Sequence, residues 1–287
     1  MSLPGDSPTR LAPLLVLDGD SLAHRAYHAL PRSIRDAAGH PANMIVGFAN
    51  MLLGLWEMER PRTVLACWDT VGVPTWRHGL LPGYQGGREF PADLVAQLEL
   101  LPELAGAAGF ANAKGVGFEA DDFLAAAVRS EIGRSGRTVV VTSDRDAYQL
   151  VGDAVTVVRP IRGVLEVERV GPADVRERYG VDPGQVPDFI ALRGDPSDRI
   201  PGARGIGPKK AAAILAEFGS LERALAAGRF PAEDEALRGY RQIATMRPDA
   251  PIPPLPDREP DWPAAAALAE GWGLGALGGR LRAAAGM

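Results

Sequence analysis

Five carboxylates crowd one short stretch of this chain. Residues 115–146 read GVGFEADDFLAAAVRSEIGRSGRTVVVTSDRD, with Glu119, Asp121 and Asp122 near the start and Asp144 and Asp146 at the end. The apolar spacing of Phe123, Leu124, Ala127 and Val128 predicts a helix with the three acids in its first turn. The β-branched run 138–143 predicts a buried strand whose C-terminal end carries the other two. Acids in a first turn can simply offset the helix dipole, but three in four residues exceed that need. Mutually repelling carboxylates converge where a cation holds them. An all-oxygen donor set suits Mg²⁺ or Mn²⁺ rather than zinc, for which the sequence offers no Cys/His cluster.

The same pattern recurs at two more strand ends. LLVLDGDS (14–21) is an apolar strand running into Asp18 and Asp20, and TVLACWD (63–69) is another, ending in Asp69; a helix is expected between them from Asn43 to Met58. Three strands ending in aspartate, together with the acids of the helix start, predict one convergent site at the carboxyl edge of an α/β sheet, where such sheets bind ligands. No role follows for Asp20.

Residues 70–93 interrupt the alternation with five glycines and three prolines and contain Arg77, His78, Tyr84 and Arg88. A connection of this length reads as a functional loop, whose basic and aromatic residues suit phosphates and stacked bases. VTVVRPIRGVLEVERV (155–170) reads as edge strands with a turn near Arg162-Gly163, and the pattern turns helical from Pro172. There Asp195 and Asp198 sit in a loop after a short helix. GARGIGPKKAAAIL (202–215) follows as a glycine-rich turn opening an alanine-rich helix. Gly202, Gly205 and Gly207 let backbone N–H groups approach a phosphate, the helix N-terminus favours an anion, and Arg204, Lys209 and Lys210 add charge. The spacing is not that of a Walker A loop. It is that of a helix-hairpin-helix grip on a duplex backbone, which positions without reading sequence. The proline-rich tail from Arg247 and the glycine-containing stretch after it carry no assigned chemistry.

Composition sets the outer limits. The chain has 287 residues, 46% of them hydrophobic and 23% charged, and no apolar run approaches the roughly 18 to 20 residues of a membrane span. MSLPGDSPTR has no secretory apolar core, so a cytoplasmic protein, with no membrane partner and acting as a monomer, is expected. Cys67, the single cysteine, reads as a small buried strand residue. The net charge of −5 argues against a nucleic-acid partner until the nine acids of the predicted site are set aside, which leaves +4. Three units are expected: an α/β core over 12–180 containing the acids and the 70–93 loop, a helical region over 181–246 that carries the hairpin grip, and a proline-rich segment with a C-terminal helix over 247–287.

The motifs LDGDSLAHRAYHAL, CWD, FEADD, TSDRDAYQL and RGDPSDRIPGARGIGPKKA, in this order, resemble those of the 5′ nuclease family, which comprises standalone bacterial 5′–3′ exonucleases, the N-terminal nuclease domain of bacterial DNA polymerase I, and flap endonucleases. The resemblance implies a Rossmann-like, PIN-related α/β core, its mostly parallel sheet flanked by helices, with a helix-three-turn-helix subdomain. It implies two divalent metals, Mg²⁺ or Mn²⁺. Asp18, Asp69, Glu119 and Asp121 would surround one, and Asp121, Asp144, Asp146 and Asp198 the other, with Asp122 and Asp195 acting through water. It further implies DNA with a 5′ single strand, whether branched, flapped or nicked, as partner, 5′-phosphate products, a role in replication and repair, and, in relatives, a K⁺ on backbone carbonyls of the hairpin. YQGGR (84–88) departs from the family's YKxxR, so Gln85 replaces a lysine, Arg88 is kept, and Arg77 or Arg25 is left to compensate.

Two other classes compete with this reading. LDGDS also resembles the start of haloacid-dehalogenase phosphatases, with Asp18 as nucleophile and Asp20 as acid, but that leaves Asp69 and the lysine pair unused. A structure-specific DNA-binding protein with little catalysis would account for Gln85.

Overall fold

The computed structural model describes residues 12–87, 89–162 and 166–286. Its centre is a six-stranded sheet in the order β3-β2-β1-β4-β5-β6, formed by β1 (Leu14–Asp18), β2 (Thr63–Cys67), β3 (Ala111–Ala113), β4 (Thr138–Val141), β5 (Val155–Arg162) and β6 (Glu166–Val170). The first five strands run parallel, and β6 returns antiparallel to β5. The hairpin expected over 155–170 is therefore present, while its tip, 163–165, lies outside the described residues.

β1 and β2 are buried at every position, as parallel strands covered on both faces must be. Their side chains divide between two cores. Leu14 and Val16 face one side with α5 (Ala120–Gly133) and four helices of the second half, α7 (Val186–Arg193), α8 (Pro208–Phe218), α9 (Leu221–Ala226) and α10 (Asp234–Ala244). Leu15 and Leu17 face the other with α1 (Gly19–Ala29), α2 (Asn43–Glu59), α4 (Ala92–Ala107) and the C-terminal pair α11 (Trp262–Gly271) and α12 (Gly275–Ala284). The remaining helices are α3 (Trp76–Leu80) and α6 (Pro172–Tyr179). The strand order reverses beside β1, with β2 on one side and β4 on the other, so a crevice opens at their carboxyl ends.

Two departures from the sequence reading matter for the site. Residues 70–93 are not one loop, because α3 forms inside them and α4 begins at Ala92. The proline-rich segment is a strap with fixed contacts: Arg62 donates to the Leu255 carbonyl at 2.7 Å, and the Arg258 and Asp261 N–H groups donate to the carbonyls of Arg62 and Ala108. It delivers Trp262 edge-on against Trp56 and Phe110.

Between α7 and α8 the chain folds back on itself. Gly194 and Gly202, both at positive φ, lie against each other so closely that a Cβ on Gly202 would stand 2.4 Å from the Gly194 nitrogen. Only glycine fits both the conformation and the approach. Reciprocal backbone hydrogen bonds between Asp195 and Ile200, both 2.8 Å, close the loop that carries Asp198.

Candidate active site

Asp18 ends β1 and caps α1, accepting from the Ser21 N–H at 3.0 Å and the Thr142 hydroxyl at 2.6 Å. The same Thr142 oxygen accepts from the Asp144 N–H, and an Asp144 carboxylate oxygen accepts from the Asp146 N–H at 2.8 Å. One threonine beyond β4 thus aligns acids from two strands. Asp69, two residues past β2, accepts from the Ala120 N–H at 2.7 Å, and its own N–H donates to Asp20 at 2.7 Å. Asp20, without a role in the sequence reading, holds the segment that presents Asp69.

Glu119 caps α5, with one carboxylate oxygen accepting from Thr75 at 2.7 Å and the other from the Tyr84 hydroxyl at 3.0 Å. Tyr84 is buried and edge-on to His78. The expectation of an exposed base-stacking tyrosine is corrected: its ring packs inward and its hydroxyl orients an acid. Arg77 is corrected in the same way. It is 1% exposed, with Nη2 3.0 Å from Asp121, Nη1 3.1 Å from Asp122 and Nε donating to the Ile243 carbonyl at 3.0 Å. Sealed beneath the acids, it neutralises them from inside and has no donor to offer a phosphate. Asp122, expected to act through water, is fully buried, its oxygens accepting from Trp76, Arg77 and the N–H groups of Glu119 and Arg247. It anchors α3, α5 and the strap.

Asp195 accepts from Arg193 at 3.0 Å and from the Ser197 N–H at 2.9 Å, and Asp198 accepts from the Gln85 side chain at 3.2 Å. Arg25 borders the same space and donates to the Ile161 carbonyl. Arg88 lies outside the described residues. Asp18, Asp69, Glu119, Asp121, Asp144, Asp146, Asp195 and Asp198 all line one cleft of about 1640 Å³. His24 and Phe90, paired at 5.1 Å, line its far wall. Neither was singled out from the sequence, where a lone histidine and a loop phenylalanine carry no spacing signal.

The electrostatics follow from this crowding. Burial, and then the charges of Asp69 and Asp144, push the Asp18 carboxyl up to about 7 against the pull of its two hydrogen bonds. Burial likewise raises Asp121 against the pull of Arg77, with Asp122, Glu119 and Asp69 adding repulsion. Burial raises Asp146, with repulsion from Asp144, Asp198 and Asp195. Burial tends to lower Arg77, but Asp121, Glu119 and Asp122 outweigh it and hold the guanidinium charged.

The hairpin side of the cleft is exposed at Arg204, Gly205, Gly207, Lys209 and Lys210. Gly207 caps α8 and Pro208 occupies its first position, where no N–H is required. The Arg204 N–H donates to Glu233 at 3.0 Å, and the Lys210 ammonium to the Gly205 carbonyl at 3.1 Å.

Residues 13–180 match the family model described as 5′-3′ exonuclease, N-terminal resolvase-like domain, and residues 181–260 match its C-terminal SAM fold. The chain belongs to the 5′-3′ exonuclease family. A 5′-3′ exonuclease of Streptomyces coelicolor is 35% identical, the match covering 91% of this chain and 96% of that one. DNA polymerase I of Mycobacterium bovis is 44% identical over 210 residues, 72% of this chain, and the chain spans about a quarter of the length of that protein and of the DNA polymerase I of Deinococcus radiodurans. A phage T5 flap endonuclease, solved as a pseudo-enzyme-product complex with DNA and metal ions, shares the fold at a TM-score of 0.69 and 20% identity, over 96% of this chain and 100% of that one.

For a 5′-3′ exonuclease the donor set fits hard divalent cations. Carboxylates from five places, the ends of β1, β2 and β4, the start of α5 and the loop after α7, line one cleft, and their repulsion is only partly offset by Arg77. Among the described residues no three acids converge on one point closely enough to share an ion.

Proposed function

We propose that the chain is a metal-dependent, structure-specific 5′ nuclease that hydrolyses DNA phosphodiesters, as a 5′–3′ exonuclease and on 5′ flaps, in the cytoplasm during replication and repair. The observation that carries this is the cleft itself: nine acids line it, Asp20 among them, and its wall at Asp195–Asp198 leads directly in sequence into the exposed glycine hairpin and the start of α8. The names borne by the relatives support the reading.

Asp18, Asp69, Glu119 and Asp121 would hold one Mg²⁺ or Mn²⁺, and Asp121, Asp144, Asp146 and Asp198 the second. When bound, such a pair supplies an activated water and neutralises the charge of attacking and leaving oxygens. The chain's own contribution is placement. Thr142 sets Asp18 against Asp144; Thr75 and Tyr84 set Glu119; Arg77 aims Asp121 and offsets part of the acids' repulsion; Asp20 fixes the approach of Asp69. Backbone N–H groups at the start of α8, with Lys209 and Lys210, hold duplex phosphates. No side-chain nucleophile is required.

The test is cleavage of a 5′-labelled flap DNA with Mn²⁺, Mg²⁺, Ca²⁺ or EDTA. Metal-dependent release of the flap or of nucleotides is expected, and Asp144→Asn or Asp121→Asn should abolish it while leaving DNA binding intact. If those variants still cut, the site is misassigned. Binding without any metal-dependent product would favour a DNA-binding protein.

A further inference from the structure

Two of the four non-glycine residues with left-handed backbone among the described residues lie together beside Asp198: Gln85, which lines the cleft, at φ +48°, and Arg199, at φ +60°. Such strained conformations persist where surrounding contacts enforce them. Here the contacts are mutual. The Gln85 amide bridges the Tyr84 hydroxyl at 2.9 Å and the Asp198 carboxylate at 3.2 Å. Gly86 and Gly87 then pass directly beneath the Arg199 guanidinium. A Cβ on Gly86 would stand 3.0 Å from Nη1, and one on Gly87 3.1 Å from Nη2. The absence of side chains at both positions lets the Arg199 guanidinium lie this close to the backbone.

Other arginines around the cleft are engaged. Arg77 is sealed beneath the acids, Arg193 is paired with Asp195, and Arg25 donates to a backbone carbonyl; Arg145 lines the cleft between Asp144 and Asp146 in the chain. Arg199 is exposed, next in sequence to Asp198, and among the described residues no hydrogen bond or ion pair engages its guanidinium. A guanidinium held against two glycines has lost little of its donor capacity and much of its freedom, the condition in which its planar fork binds a phosphate well.

We propose that Arg199 is a substrate-binding residue: its guanidinium takes a phosphodiester of the DNA strand entering the cleft beside Asp198, on the wall where Gln85 contributes no charge. The inference takes its substrate from the nuclease reading above.

The experiment compares the wild type with Arg199→Asn, which tolerates left-handed backbone, and Arg199→Lys. Binding of flap DNA is measured in Ca²⁺ across a salt series, and single-turnover cleavage in Mn²⁺. Arg199→Asn should bind about tenfold more weakly near 0.1 M salt and lower the slope of log affinity against log salt by about 0.7 to 0.9, one phosphate contact. Its cleavage rate at saturating DNA should stay within about threefold of the wild type, and Arg199→Lys should restore most of the slope. An unchanged slope in Arg199→Asn overturns the proposal, as does a loss of cleavage in both variants with the slope intact, which would make Arg199 a brace for the loop. A wild type that binds with the expected slope difference yet never cuts overturns the nuclease reading and leaves this one standing. Absence of DNA binding overturns both.

Discussion

At the scale of single residues, the acids were legible and their supports were not. Aspartates after β-branched runs announce themselves by type and place, so Asp18, Asp69, Asp144 and Asp146 were readable from the sequence. Arg77 and Tyr84 were read as loop residues facing substrate because nothing in TWRHGLLPGY reveals that one short helix turns both inward. Their burial carries two expectations. Arg77→Met should cost about 3–5 kcal/mol in urea denaturation, because it leaves Asp121 and Asp122 buried beside each other without a counter-charge. Arg77→Lys should not recover it, since one ammonium cannot serve two carboxylates and the Ile243 carbonyl together. Tyr84→Phe keeps a ring but removes the hydrogen bond to Glu119. It should lower the cleavage rate about tenfold with the affinity for flap DNA unchanged, whereas a base-stacking tyrosine would leave the rate alone.

Among elements, the strands and the longer helices followed their patterns closely; α2 ends one residue past the expected Met58. The misreadings fell where pattern is absent. α3 has five residues, too few to show a period, and α11 and α12 are so rich in alanine and glycine that polar and apolar faces hardly contrast. The β5–β6 hairpin is pinned to α6 by Glu168, which accepts from Arg159 on β5 and Arg178 on α6. Arg178 and then Arg159 hold the Glu168 carboxyl down to about 2 from its usual 4.5. A depressed carboxyl stabilises the fold fully above its unfolded pKa and loses that contribution as pH falls toward its folded one. The stability gap between the wild type and Glu168→Gln should therefore be constant above about pH 4.5 and close progressively toward pH 2, as thermal melts across that range would reveal.

Across the whole molecule, the sheet separates two cores with different work. The face built by α1, α2, α4, α11 and α12 carries none of the hairpin residues and none of the acids of the site beyond Asp18 and Asp20 at the start of α1, though His24, Arg25 and Asn50 line the cleft. Its closure depends on Trp262, which is 3% exposed. Trp262→Ala should cost about 3–5 kcal/mol and lower the melting temperature, with flap cleavage at low temperature close to that of the wild type. The opposite core joins α5, which bears Asp121, to α7 and α8, which flank the hairpin, in one continuous packing of side chains with no linker between them. The distance between the proposed duplex grip and the acids is thus set by packed helices. The proposed nuclease would be a ruler as well as a blade: its cut should fall a constant number of nucleotides from the end of the duplex, whatever the length of the strand beyond it.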